Sequence, residues 1–216
     1  MAVRKAEDAF TITFALICEY IMDIPGSSTV GQDSSFGKHC VIGENVRIGS
    51  CVRMGNMCVI EDNTVIGDNV VLDHFCIIGE DCSIGSGTRI RSHVELRKKT
   101  VVGSDCYIDS GVKSSGTNRI GNRVTLRYDA IIARGCDIDD DAYICPQVMT
   151  NNLDHTGKEV GGAHVGAGCF IGTNSTIGAG ISLAPKTVIG SKAMVTKTIE
   201  KAGVYIGVPA VRTRDL

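Results

Sequence analysis

The sequence carries no strong charge of either sign: 22 lysines and arginines stand against 24 aspartates and glutamates, a formal net charge of −2. So even a balance offers no global field to a nucleic acid or an anionic membrane, and any basic site has to be local. It also lacks a long apolar run. The most apolar stretch near the N-terminus, residues 9–22, includes Glu19 and follows the mixed charges Arg4, Lys5, Glu7 and Asp8, so it is too short for a bilayer and poorly shaped as a signal peptide. A cytoplasmic protein is expected, with neither nucleic acid nor membrane as partner. Ten cysteines are present but none forms a CxxC pair, so neither a zinc knuckle nor a dithiol motif is indicated.

What the sequence has is a period of six. From Val30 onward the residues whose numbers divide by six run Val30, Phe36, Ile42, Ile48, Met54, Ile60 and so on to Thr150, and nineteen of the twenty-one are large and apolar. This is neither the 3.6 of an amphipathic helix nor only the 2 of a strand. It is the spacing of short strands joined by tight turns, each sending one large side chain inward, which makes the chain an all-β solenoid, a parallel β-helix. The residue after the anchor is Gly in ten of the twenty-one cases and Asp or Asn in others, which predicts turns with positive φ at that place. Two residues before each anchor lies a second inward position, filled mainly by Val, Thr, Ala or Cys. Seven cysteines fall there: Cys40, Cys58, Cys76, Cys82, Cys106, Cys136 and, after a register shift, Cys169. They read as small core fillers in a reducing compartment.

The rhythm breaks twice. Ser114 replaces an aliphatic anchor within Lys113-Ser114-Ser115-Gly116-Thr117-Asn118, which predicts a bulge or a loop tip. Beyond Val148 the period is lost through a polar segment at about 149–164, and it resumes at Val165, Ile171, Ile177, Leu183, Ile189 and Val195. The reading is a cap segment at 1–29, a β-helix at 30–196 with an inserted loop, and a tail at 197–216. A loop leaving a rigid scaffold is a natural place for chemistry.

The tandem rungs, followed by Thr187-Val188-Ile189-Gly190-Ser191-Lys192-Ala193-Met194-Val195-Thr196-Lys197 and by Gly207-Val208-Pro209-Ala210, resemble the hexapeptide-repeat acyltransferases. The resemblance covers roughly residues 30–212. It implies a left-handed, triangular β-helix, a homotrimer with sites between subunits, and acetyl-coenzyme A as acyl donor, with no metal. The segments Leu72-Asp73-His74-Phe75-Cys76-Ile77-Ile78 and Ile144-Cys145-Pro146-Gln147-Val148-Met149-Thr150-Asn151 look most like the UDP-amino-sugar N-acetyltransferases, whereas the loop with Asp154-His155 is similar to galactoside O-acetyltransferases. The expected activity is N-acetylation of an amino sugar carried on a nucleotide. The alternatives are O-acetylation of a sugar hydroxyl and a non-catalytic scaffold.

An acyl thioester is already activated, so the enzyme has to hold the acceptor near the carbonyl, take its proton and stabilise an oxyanion. A histidine suits the proton transfer. His155 matches the O-acetyltransferase histidine, His93 stands at a rung corner, and His74 follows Asp73 in an acid-histidine pair, although Phe75 stands where an acidic partner follows the histidine in the family. His39 and His164 read as surface or turn residues, and an amine acceptor delivered neutral needs no protein base. With eighteen residues to a coil, Asn56, His74, Ser92, Ser110 and Tyr128 form one polar column. Beside it the segment Arg89, Arg91, Arg97, Lys98 and Lys99 suits a nucleotide diphosphate. Ser92, Arg91, Arg97, Asn151 and Asn152 are candidates for the acceptor. For coenzyme A the resemblance points to backbone amides around Gly178 and Ala184, with Lys192, Lys197, Arg212 and Arg214 for its phosphates. A γ-type carbonic anhydrase, which shares the fold, needs an H-x-x-x-x-H pair that is missing here. The only Thr-x-Thr pairs, Thr11/Thr13 and Thr196/Thr198, lie outside the main array, which argues against an ice-binding face.

Overall fold

The computed structural model describes residues 24–215. Most of the expected cap segment, including the apolar stretch 9–22 and Cys18, lies outside the described residues. Strands of two residues alternate with four-residue turns from Thr29–Val30 to Met194–Val195. The chain visits three sheets in rotation. The first begins at Thr29–Val30 and has nine strands, the second begins at Ser35–Phe36 and has eleven, and the third begins at Val41–Ile42 and has nine. Within the coils every pairing is parallel, and each residue lies beside the one eighteen further on, as Arg47 beside Val65 and Ser83 beside Val101. The corners following the first, second and third sheets are called here the first, second and third corners.

The period of six follows from this geometry. In each strand the anchor points into the prism and its predecessor points out, so Ile60, Ile78, Leu96 and Ile132 are fully buried while Val41, Ile77 and Val101 are exposed. All seven second-position cysteines are buried, and the nine described cysteines are free thiols. Six of the seven second-position Sγ atoms face a backbone carbonyl, as Cys58 does that of Asp73 at 2.9 Å and Cys76 that of Arg91 at 3.0 Å, whereas Cys136 lies 3.2 Å from the Thr150 hydroxyl.

The glycines after the anchors have a different role from the expected one. Positive φ falls two residues later, where Asp33, His39, Asn45, Phe75 and His93 all take φ between +56° and +61°. The glycines answer instead to close approach between coils: a Cβ on Gly85 would stand 2.4 Å from the carbonyl carbon of Gly103, the next glycine of the same column. At several turns the backbone N–H of the residue after that glycine is capped by a side chain of the next coil. Glu44 N donates to Asp62 Oδ1 at 2.8 Å, Ser50 N to Asp68 Oδ1 at 2.7 Å, and Asn122 N to Asp140 Oδ1 at 2.8 Å.

Ser114 forms neither a bulge nor a loop tip. It lies on the strand Lys113–Ser114, in register with Leu96 and Ile132, and is buried. Its hydroxyl is received by Asn118 at the second inward position, a place that Val, Thr or Cys fills in most other rungs. The hydroxyl of Ser114 lies 2.9 Å from Thr100 Oγ1 and donates to Asn118 Oδ1 at 2.5 Å, and Asn118 Nδ2 donates to the carbonyl of Ala133 at 2.5 Å. Among the described residues no buried side-chain polar atom is left without a partner.

The insertion is a short hairpin. Asp154 Oδ1 accepts from the N–H groups of Thr156 and Lys158 and from the Thr156 hydroxyl, while Leu153 bridges Glu159 and Val160 N donates to Asn152 O at 2.9 Å. It leaves from the third corner, after which Asp137 pairs with His164 twenty-seven residues on and the ladder continues. The tail extends the second sheet: Val204–Ile206 pairs in parallel with Val188–Ile189, and Val211–Arg214 turns back antiparallel to it. No helix among the described residues is long and apolar enough to cross a membrane.

The buried Ser114–Asn118 pair generates one expectation. Asn118→Val leaves the Ala133 carbonyl without the Asn118 donor and the Ser114 hydroxyl with Thr100 Oγ1 as its remaining side-chain partner, and should cost about 1–3 kcal/mol in denaturant unfolding. The double variant Ser114→Ile/Asn118→Val restores an aliphatic rung and should recover most of that loss. A double variant as unstable as the single would show that the polar pair is required by the backbone.

The thiols generate another. Burial pushes Cys82, Cys106, Cys136 and Cys145 up, and Cys169 to about 11, so the folded state retains protons that the unfolded chain releases above about 8.5. A group held protonated only in the fold stabilises it fully below the unfolded value and progressively less as pH rises towards the folded one. Thermal stability should therefore fall between pH 8.5 and 11, and replacing Cys106, Cys136 and Cys169 by Ala or Val should flatten that fall.

Candidate active site

Six residues of sequence carry the chain from one corner to the next, so neighbours in sequence end far apart around the prism. Arg91, Ser92, His93 and His74 stand at the second corner, whereas Arg97, Lys98 and Lys99 stand at the third. The expected basic patch is thus two groups on different corners.

At the second corner the charges alternate along the axis. Arg91 pairs with Asp73 at 3.1 Å, and Arg127 pairs with Asp109 at 2.9 Å and donates to the Tyr143 hydroxyl at 2.6 Å. Asp109 is only 1% exposed, a carboxylate made tolerable by Arg127 and by the N–H of Ser110 at 2.9 Å. The column Asn56, His74, Ser92 forms as expected, and His74 caps it: Asn56 N donates to His74 Nδ1 at 2.9 Å. That bond fixes the proton of neutral His74 on Nε2 and occupies its basic nitrogen. One residue along, the ring of His93 stacks on Phe75 with centroids 4.9 Å apart and planes 3° apart.

The third corner gathers a different set. Arg97, Asn151, Asn152, Gly178 and Lys197 lie along it, and the hairpin projects from it with His155 exposed at the tip. His155 has no hydrogen-bond or ion-pair partner among the described residues. The amide N–H of Gly178 donates to Val195 O at 3.0 Å and that of Ala184 to Ile199 O at 2.8 Å, so both are spent within the ladder. Ala184 lies at the first corner and Lys192 at the second, while Arg212 belongs to the terminal hairpin and donates to Ala202 O at 3.0 Å. The six residues named for coenzyme A, Arg214 with Arg212 on the terminal strand, are therefore spread over all three corners and the tail. No group of three or more His, Cys, Asp or Glu is placed to hold a metal among the described residues.

Sequence reading passed over the best-oriented histidine. His164 Nε2 lies 2.9 Å from Asp139 Oδ2, and Asp139 Oδ1 accepts from Arg119 Nη2 at 2.6 Å. Burial opposes a charge on Asp139, but the bonds from Arg119 and His164 outweigh it and hold the carboxyl below the usual carboxylate range. The signal was in the glycine column of the first corner: Gly31, Gly49, Gly67, Gly85, Gly103 and Gly121 precede Asp139, where a carboxylate breaks the run. Its partner was hidden because the insertion shifts the register by nine residues at that coil.

A family model described as the GMPPB C-terminal domain matches residues 19–118, a little under half of the chain. Among solved structures the chain is similar to the UDP-N-acetylglucosamine O-acyltransferase of Moraxella catarrhalis RH4, with a TM-score of 0.52, 18% identity, and 90% of this chain and 72% of that one covered. It is also similar to the UDP-N-acetylglucosamine acyltransferase of Francisella novicida, with a TM-score of 0.55, 21% identity, and 79% and 67% covered. At such identities the likeness establishes the backbone architecture, and it supplies the handedness that spacing alone leaves open. Parallel rungs of six residues, three sheets in rotation and these neighbours together give the chain the left-handed β-helix fold of the hexapeptide-repeat acyltransferases.

Proposed function

We propose that the chain is an acyl-coenzyme A-dependent acyltransferase that acetylates the amino group of a nucleotide-linked sugar. The fold it shares with acyltransferases whose names include a UDP-sugar supports the class of reaction and acceptor. The observation that carries the amine is the state of the three expected histidines. Among the described residues His155 has no group to orient it, His74 has its basic nitrogen engaged by Asn56 N, and His93 is stacked on Phe75 with no carboxylate partner. A neutral amine attacks a thioester without a protein base, so the protein has to position the two substrates, exclude competing water and stabilise the oxyanion. Asn151, Asn152 and Arg97 at the third corner are the acceptor residues of this reading, and Lys197 on the same corner is its residue for the acyl donor.

A second reading rests on His164. A carboxylate holding Nε2 leaves Nδ1 as the base, an arrangement suited to deprotonating a sugar hydroxyl, and the Moraxella neighbour is named an O-acyltransferase. Assembly belongs to the proposal as well. Along the third sheet Val41, Ile77, Ile131, Met149 and Met194 face outward and are exposed, an apolar strip interrupted by Glu95 and Lys113 between Ile77 and Ile131. We assign it to contacts between three copies of the chain.

Thiol release from acetyl-coenzyme A, measured with nucleotide amino sugars and their hydroxyl counterparts, separates the two readings. For an amine acceptor, His155→Ala, His93→Ala and His74→Ala should each stay within about tenfold of wild type, with a rate that climbs as the substrate ammonium loses its proton. For a hydroxyl acceptor, His164→Ala should lower kcat by ~10²-fold or more. A comparable loss in His155→Ala would overturn the base-free reading.

Light scattering at micromolar concentration should give a mass near three times 22.9 kDa, and Ile77→Asp/Ile131→Asp should lower it. An active monomer would sink the shared-site arrangement.

A further inference from the structure

The rung with the polar core also has a rebuilt turn. At Gly116 φ is +96°, and its N–H donates back to Ser114 Oγ at 3.3 Å rather than outward to the next coil. A Cβ on Gly116 would lie 2.7 Å from the carbonyl oxygen of Lys98, so the corner carries no side chain there. Asp62, Asp68 and Asp140 occupy the equivalent place in other turns and cap the N–H of the coil before. With Gly116 in that place, Lys98 N receives no such cap. The corner also changes sign along its length, from Glu44, Asp62 and Glu80 in the first coils to Arg97, Lys98 and Arg134 in the middle.

A pocket of about 350 Å³ opens at this point, with Ile77 and Leu96 as its apolar floor and Arg97, Lys98, Ser115 and Arg134 around it. Two carboxylates also line it. Glu95 is engaged by Arg97 Nε at 2.8 Å, and Glu61 accepts from Glu80 N at 3.0 Å. Among the described residues no carboxylate pairs with Lys98 or Arg134, whose charges remain available to a ligand. Asn152, at the root of the hairpin that carries His155, is next in register after Arg134.

We propose that this corner binds a phosphate group of an anionic ligand, held by the side chains of Lys98, Arg134 and Arg97 and by the uncapped N–H of Lys98. Arg presents a planar fork to phosphate and Lys a point charge, and an open backbone N–H adds a directed donor. The apolar floor suits the uncharged part of the same molecule. Such a phosphate occurs both in a nucleotide diphosphate and in coenzyme A. The inference rests on charge and backbone geometry and stands whether or not acyl transfer takes place.

The test is calorimetric binding to the whole protein at low salt, with UDP, coenzyme A and inorganic pyrophosphate as separate probes. UDP or coenzyme A should bind, pyrophosphate should compete, and Lys98→Ala/Arg134→Ala should weaken binding at least tenfold, whereas Arg47→Ala on the first sheet should not. Response to UDP alone assigns the acceptor, and response to coenzyme A alone assigns the donor. Either result supports the site. On the wild-type protein, pyrophosphate should also shield Lys98 from an amine-modifying reagent, read by mass spectrometry. Failure of all three probes to bind at millimolar concentration, unchanged affinity in the double variant, or unshielded Lys98 would overturn the proposal.

Discussion

Everything in this molecule depends on the hydrogen-bond ladder that seats each residue on the one eighteen further along the chain. Because the coils repeat about every ~4.8 Å, a side chain meets its own column partners above and below more closely than anything else. Each column must therefore be compatible with itself. Aliphatic anchors satisfy this by packing, and the glycines of the first corner satisfy it by letting the next coil's backbone approach. At the second corner charges satisfy it by alternating, as Asp73, Arg91, Asp109 and Arg127 do, whereas the third corner stacks Glu44, Asp62 and Glu80 in one column.

Departures from column rules are consequently where the molecule does something particular. Asp139 interrupts a run of six glycines and gains Arg119 and His164. Ser114 interrupts a run of aliphatic anchors, and the disturbance reaches the surface as the Gly116 turn. The hairpin at 151–162 interrupts the period itself without disturbing the sheets, because nine added residues leave from a corner and return to it.

The fold was legible because burial imposes its period directly on the sequence, as the column from Ile42 through Ile60, Ile78 and Leu96 displays. The function of the turn glycines was not legible in the same way. A left-handed residue and a close backbone approach both call for glycine, and composition cannot tell them apart; the left-handed positions hold Asp33, His39, Phe75 and His93 instead. Ser114 was misread because a hydroxyl at an anchor signals a break unless Asn118, four residues later, is seen to bond it. The site was less legible still. Arg91 and Arg97 are six residues apart and therefore on different corners, whereas Asp139 and His164 are 25 apart and touch.

The terminal hairpin bears on how such a molecule avoids growing without limit. A stack of parallel strands ends in a row of unpaired backbone groups, an open template on which further chain can add. On the second sheet that row is occupied by Val204–Ile206 and then by Val211–Arg214 running the opposite way. All four residues of this last strand are exposed, and two of them are arginines. The reversed direction makes that edge a poor landing site for a further parallel coil, so on that face the tail opposes fibre-like extension.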